Sequence, residues 1–554
     1  MKTTNRIWIA ALALAICASA QNKVAPDLQN TIAKQANDSE QPMLIQYNVA
    51  ASTDEQKALG SSLKAMIHSK LAVVKVKPSD VAKLSASANV KFITPDRPVK
   101  GALEFANPTV YADYAFISNW TGAGIGVAVV DSGVADHPDF KTSACGAATR
   151  IVYKENFVAD EKSNATGDTY GHGTHVAGII GGNSACAETG MTKLFRGIAP
   201  NVNIVSLRAL NSQGNGTDSA VIQAIDRAIA LKATYNIRVL NLSLGRAVRE
   251  SYTLDPLCQA AERAWNAGIV VVASSGNMGR YDPTKGYGMI SSPGNDPYVI
   301  TVGAMNDKLS AGRGDDVMTT FSSKGPSLVD HVVKPDLIAP GNAIVSTLPS
   351  GTTLTASLPG NTVARSYYKT SASGNSSFYF KLSGTSMAAP MVSGAAALLL
   401  QQNPSLTPNQ VKARLMRTAT KTFPRSTVSV VDGITYNTSY DAFTVGAGYL
   451  NIMAALTSID LLPVSNTAAL SPIVVKGKKG VTLQTSIANL WGNSLVWGDS
   501  LIWGDSLVWG DSLIWGDCLP IAESLPTAQS LIWGESLIWG DSLIWGDSVG
   551  LGDR

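Results

Sequence analysis

Lys381-Leu-Ser-Gly-Thr-Ser386-Met-Ala-Ala-Pro-Met391 is the stretch that decides how this 554-residue chain folds. Just before it Phe378, Phe380 and Leu382 alternate as the inward face of a strand does. After it Met-Ala-Ala-Pro-Met-Val-Ser-Gly-Ala-Ala-Ala-Leu-Leu-Leu is apolar on every side, which predicts a buried helix. Pro390 lies close enough to the helix start to be tolerated there, and Gly384 allows a sharp turn into it. Ser386 is thereby placed at a helix N-terminus, where backbone N–H groups and the dipole stabilise negative charge. Two roles are open to it: an N-cap, the usual job of a serine at that place, or a nucleophile whose reaction passes through an oxyanion.

Working outward, the chain alternates strands and helices from about Pro108 to Leu456, the pattern of a mostly parallel sheet covered on both faces. Ile125–Val130, Ile204–Leu207, Val239–Leu242 and Ile269–Val272 read as buried strands, Thr217–Leu231 and Pro256–Ala267 as helices. Loops at the carboxyl ends of such strands are where ligands bind. Three of them supply what a nucleophilic Ser386 needs. Asp131-Ser-Gly133 ends the first strand with a carboxylate. Gly171-His-Gly-Thr-His-Val-Ala-Gly178 places His172 at a turn into an apolar helix, with His175 one turn further in as a packed structural histidine. Ser274-Ser-Gly-Asn277 follows the fourth strand. An imidazole could take the serine proton, a carboxylate could fix its tautomer, and an amide could donate to the oxyanion. Singly these residues are also ordinary turn and cap formers; jointly, turn chemistry explains them poorly.

Val130-Asp-Ser-Gly133, the Gly171–Gly178 segment and Gly384-Thr-Ser-Met-Ala-Ala-Pro390 resemble the three signature segments of the subtilisin-like serine peptidases, and the order Asp, His, Ser is that family's. The resemblance implies an α/β, subtilisin-like three-layer catalytic domain over residues 108–456. It implies catalytic roles for Asp131, His172 and Ser386, with Asn277 at the oxyanion. Ser243, Leu244 and Gly245, with Gly214, Asn215 and Gly216, are similar to the family's segments that bind a peptide as an added strand. Ser274, Ser275 and Gly276, facing Ser291–Gly294, would complete a small, uncharged specificity pocket. Such a pocket predicts broad preference with a bias to apolar or large side chains. No cofactor is required. The family often binds calcium, so calcium is expected as an option, with no ligands assigned.

Composition bounds the rest. Charged residues are 15% of the chain and the net charge is +3, which offers no field for nucleic acid or a membrane surface. Lys2 and Arg6, an apolar run Ile7–Cys17 and Ala18-Ser-Ala20 make a secretory signal peptide over 1–20, and no other stretch is apolar and long enough to span a bilayer. Residues 21–41 read as a linker. Residues 42–100 read as a small α+β module (strands Met43–Val49, Leu71–Val76 and Val90–Ile93, helices Asp54–Ile67 and Ser79–Leu84) similar to the propeptide of many subtilisin-like enzymes. It would act as intramolecular inhibitor and folding helper until self-cleavage. Residues 457–490 read as a polar spacer. In the tail, 491–554, Trp491, Trp497, Trp503, Trp509 and Trp515 recur every six residues in a Trp-Gly-Asp-Ser unit, as do Trp533, Trp539 and Trp545. That tail is either a β-forming element for surface or self-association or a low-complexity extension. Of the four cysteines beyond the signal peptide, Cys145 and Cys186 flank one catalytic segment and are the favoured disulfide. Cys258 reads as a small buried residue.

The leading expectation is a secreted, self-processing endopeptidase acting on proteins and peptides. The alternatives are a catalytically silent binding scaffold and a surface-assembly protein driven by its tail.

Overall fold

The computed structural model describes residues 23–24, 28–29, 32, 39–95, 105–459 (apart from 143, 144, 147, 160, 163 and 164), 469–477 and 480–484. The expected signal peptide (1–20) and the Trp repeats lie outside these residues. The chain divides into two compact units, 1–100 and 101–554.

In the first unit four strands, β1 (Gln41–Tyr47), β2 (Leu63–His68), β3 (Leu71–Val76) and β4 (Val90–Pro95), form one antiparallel sheet in the order β2-β3-β1-β4. Alternate residues Met43, Ile45, Ala72 and Val74 face a small core. Two expectations need correction here. The helix expected over Asp54–Ile67 ends at Leu59, and Leu63–His68 is a strand. Lys, Ala and Met in that stretch favour a helix, but pairing with β3 decides the outcome. The expected linker is also partly built in: Val24 bridges Ile93, and Val24 and Leu28 are buried.

The second unit is built on eight strands: β5 (Gly126–Asp131), β6 (Ile151–Asn156), β7 (Asn203–Arg208), β8 (Ile237–Leu242), β9 (Val270–Ser274), β10 (Ile300–Asn306), β11 (Val317–Met318) and β12 (Leu337–Pro340). Their order is β11-β10-β9-β8-β5-β7-β6, with β12 on β10. Every pair is parallel except β10 with β11. The chain leaves β5 for β6 and β7 on one side, then crosses to β8 on the other. A crevice therefore opens above the carboxyl end of β5, where Asp131 stands.

Two helices matter most for that crevice. His172–Gly181 is buried along its whole length, and Thr385–Gln402 is buried from Thr385 to Leu400. The second packs on the first and on β8, β9, β10 and β12, so the apolar helix read from the sequence is the centre of the domain. The Thr385 helix is delivered by β15 (Asn375–Leu382), which pairs with β13 (Ile344–Thr347) and β14 (Thr362–Ala364). A further helix, Pro408–Thr418, carries a buried Lys412 that bonds the carbonyls of Pro297 and Val299, just before β10. A hairpin, β16 (Ser426–Val431) and β17 (Ile434–Ser439), follows.

The unit does not end at Leu456. Residues 469–474, expected within a spacer, are packed against it: Ala469, Leu470, Ser471 and Val474 are buried. Ser471 bonds Lys412 Nζ (2.9 Å) and Asp336. The segment continues into a last hairpin, β18 (Ile473–Gly477) with β19 (Gly480–Gln484). No helix among the described residues is long and apolar enough to cross a membrane. Cys145 and Cys186 form a disulfide, while Cys258 is a buried thiol.

Candidate active site

Asp131, Ser243 and Asn277 stand at or just beyond the carboxyl ends of β5, β8 and β9. His172 and Ser386 open the two packed helices. Sheet and helices together thus bring the separated motifs to one edge.

The His172 side is a tight electrostatic unit. Asp131 is fully buried and receives His172 Nδ1 at 2.8 and 3.0 Å on its two oxygens. That bond places the neutral imidazole's proton on Nδ1 and leaves Nε2 as the basic nitrogen. Ser132 N donates to the same carboxylate at 2.7 Å. Two glycines permit this approach. Gly171, the residue before the helix, has φ 109°. A Cβ on Gly173 would sit 2.2 Å from Gly133 O and 3.0 Å from Asp131 Cβ. Burial alone would lower the His172 pKa. The Asp131 charge, its hydrogen bond and the Asp168 charge outweigh burial and hold it above the ordinary imidazole value. His175 behaves otherwise. Its Nε2 bonds Ile344 O and Phe380 O, both at 3.1 Å, and burial drives its pKa down to about 3.

The Ser386 side is neutral. Gly384, not Ser386, is the N-cap, so the capping role considered for Ser386 does not apply. Ser386 is the second helical residue and 1% exposed. Its N–H is among those that find no acceptor within a helix. Asn277 Oδ1 accepts from Thr385 N at 2.9 Å and Thr385 Oγ1 at 3.0 Å. The amide is thereby oriented with Nδ2 turned away from Thr385, and Nδ2 would lie 3.4 Å from a Cβ at Gly384. Pro390 sits deeper than the first turn expected for it. Lacking an N–H, it cannot bond the carbonyl four residues back, which is Ser386 O. Ser243 Oγ fills that role at 2.9 Å, and Ser386 Oγ lies 3.3 Å from Ser243 O. Asn241 Nδ2 donates to Ser243 Oγ in turn. The Ser243 hydroxyl went unread in the sequence, although a proline four residues after Ser386 was the available sign of it.

Two of the segments expected to bind substrate meet at the 291–292 loop. Arg246 and Ser292 exchange backbone hydrogen bonds of 2.9 and 2.8 Å, and Ser291 N donates to Ser275 O at 3.1 Å. Ser243, Leu244, Ser274 and Ser275 are buried, Gly245 and Gly276 with them. Gly214, Asn215 and Gly216 form a tight hairpin with Leu210 and Asn211. Gly214 is held against the Tyr170 ring, two residues before His172.

With this geometry in place, residues 122–439 match the subtilase family. The chain belongs to that family. Serine protease AprX of Bacillus subtilis (strain 168) is 37% identical over 60% of this chain and 70% of its own. Subtilisin DY of Bacillus licheniformis is 33% identical over 63% of this chain and 96% of its own. The alkaline protease of Alkalihalobacillus alcalophilus is 32% identical over 63% and 73%. The protein is a subtilisin-like serine protease. This subtilase's described residues contain no group of three or more His, Cys, Asp or Glu side chains placed to hold a metal ion. Two of its buried carboxylates meet donors instead. Asp139 accepts from Tyr379 Oη at 2.7 Å and from the Cys186 and Ala187 amides, and Asp168 is surrounded in the same way. Neither fits calcium as a ligand.

Proposed function

We propose that this subtilase is a secreted endopeptidase that hydrolyses proteins through an acyl-enzyme on Ser386. His172 Nε2 takes the Ser386 proton as Oγ bonds the substrate carbonyl carbon. It then gives that proton to the leaving amine as the C–N bond breaks, and water repeats the cycle in reverse. Asp131 holds the required tautomer and stabilises the imidazolium. Asn277 Nδ2 and the Ser386 N–H donate to the oxyanion. The observation that carries this reading is the pairing of a buried Asp131–His172 bond with an Asn277 amide turned by Thr385 beside Ser386.

Peptide would bind as an extended strand along Ser243–Gly245 and Gly214–Gly216, with a side chain entering the small, uncharged pocket beside Ser274–Gly276. Residues 42–100 would serve as a propeptide, released by self-cleavage. The parallel catalytic sheet, rich in non-local contacts, would fold slowly unaided, which gives such a helper a purpose. The Trp-Gly-Asp-Ser tail over 491–554 would attach the enzyme to a surface or to its own kind, and no cofactor is needed for the chemistry.

A fluorophosphonate probe on the purified mature protein, followed by mass mapping, tests the assignment. The label is expected on Ser386, and Ser386→Ala should abolish labelling, casein hydrolysis and maturation together. Labelling elsewhere, or a Ser386→Ala protein processed to the wild-type size in a protease-free host, would refute it.

A further inference from the structure

A second carboxylate stands behind the Asp131–His172 pair. Asp168 is 6% exposed and lies four residues before His172. Its Oδ1 accepts from Gly171 N at 2.6 Å and Ser132 Oγ at 2.9 Å. Its Oδ2 accepts from Thr174 N at 2.8 Å and Thr174 Oγ1 at 2.6 Å. Four donors fill the four lone-pair sites that an ionised carboxylate offers.

The two hydroxyls settle where the protons are. Ser132 Oγ accepts from Gly173 N at 3.0 Å, and Thr174 Oγ1 accepts from Ala135 N at 3.0 Å. Among the described hydrogen bonds, the only acceptor for either hydroxyl proton is Asp168. Burial and the neighbouring Asp131 charge push the Asp168 carboxyl pKa up, and the hydrogen bonds from Thr174 and Gly171 offset this only in part, so it stays above the ordinary carboxylate value. With every neighbour donating, the ionised form is the one this cage is built for. Ser132 also joins the two acids, since its N–H donates to Asp131 and its O–H to Asp168.

We propose that Asp168 is a positioning residue for the reaction: an ionised second carboxylate that fixes the start of the His172 helix and stabilises the imidazolium formed when Ser386 loses its proton. The inference rests on His172 being the general base. The other charged and titrating groups around this corner are Asp131 on β5, Tyr170 in the loop, His175 along the helix and Arg208 on β7. Arg208 is engaged by Ala165 O, Gly167 O, Thr169 Oγ1 and Glu161. Asp168 and Asp131 are therefore the acids that support a charge on His172.

Asp168→Asn tests this, because it removes the charge at nearly constant size, at the cost of turning its NH2 toward one of the two backbone donors, Gly171 N or Thr174 N. The acid limb of the kcat/KM–pH profile is expected to move down by about half a pH unit or more, a threefold or larger loss in the protonation constant of His172. kcat should fall about 10- to 100-fold. Thr174→Ser, which keeps the hydroxyl donor, should retain the wild-type limb. A slower Asp168→Asn enzyme with an unmoved limb would reduce Asp168 to a helix cap and overturn the proposal.

An NMR titration of the His172 ring, in Ser386→Ala protein with and without Asp168→Asn, reads the same shift without turnover. Failure of the peptidase reading is thus distinguishable from failure of this one. Should Asp168→Asn not fold, the carboxyl carbon of Asp168 in Ser386→Ala protein decides. An ionised chemical shift at pH 7 is expected, and a protonated one would overturn the proposal.

Discussion

The two helices that open onto the crevice begin alike and are finished oppositely. Each starts at a glycine whose side chain can cap nothing. At the His172 helix the exposed amides are met by a carboxylate, Asp168, with Asp131 alongside. At the Ser386 helix the corresponding amide is met by the neutral Asn277 side chain. A helix N-terminus carries about half a positive charge. The first helix start has that charge cancelled and reversed, which suits a site where a cation forms. The second keeps it, which suits a site where an anion forms. The difference between the two ends is thus a division of charge prepared before substrate arrives.

Placing a carboxylate at the second helix start should break this division most severely. In Asn277→Asp one oxygen can still accept from Thr385, so the fold is expected to survive. The other oxygen would face the developing oxyanion. Turnover of a peptide substrate near neutral pH should fall more than about 1,000-fold, with KM little changed. Asn277→Ala should cost about 100- to 1,000-fold, the loss recorded when a subtilisin itself gives up its oxyanion asparagine. An Asn277→Asp enzyme as fast as Asn277→Ala would show that the neutrality of this helix start is irrelevant.

The same division sharpens into a pH dependence. Hydrolysis needs neutral His172, whose pKa is held above the ordinary value of about 6.5. The acid limb of kcat/KM should therefore fall above pH 6.5, with rate dropping about tenfold per pH unit below it. For stability the sign is opposite. A raised folded-state pKa adds stability that is complete below the unfolded value and disappears as pH rises through the folded one. A wild-type acid limb at or below pH 6.5 would show that the two acids do not outweigh burial.

What the sequence disclosed of this arrangement follows the range of the contacts. The Asp131, His172, Asn277 and Ser386 segments are each contiguous and have a glycine close by, so each could be found locally, although only together do they point to catalysis. The partners that orient them come from elsewhere in the chain. Asp168 takes donors from Ser132 as well as from its own loop, and Ser243 bonds a residue 143 positions away. Nothing local to Asp168 marks its pairing, and Pro390 signals a carbonyl at Ser386 in need of a donor without saying that Ser243 supplies it. The 469–474 segment went unread for a related reason, since Ser471 within it gains meaning only through Lys412 and Asp336, which lie far from it in the chain. Leu63–His68 failed differently, because there a strand partner overruled local helix preference.

His175 gives the smallest effect and ties the two helix starts together. It rides on the His172 helix, yet its Nε2 proton is shared between Ile344 O on β13 and Phe380 O on β15, the strand that delivers Ser386. Both bonds need only the neutral ring, and protonation would bury a charge beside His172. Its pKa of about 3 against about 6.5 in an unfolded chain means the unfolded state holds one more proton between those values. Stability from this residue is complete above pH 6.5 and is lost as pH falls toward 3, at up to about 1.4 kcal/mol per pH unit. His175→Gln can donate to one of the same carbonyls without titrating. Urea unfolding of Ser386→Ala protein, with and without His175→Gln, should show the slope of stability between pH 4.5 and 6.5 reduced by up to that amount. An unchanged slope would mean that His175 does not hold the helices in register by staying neutral, and that the coupling between the two starts lies in the packing alone.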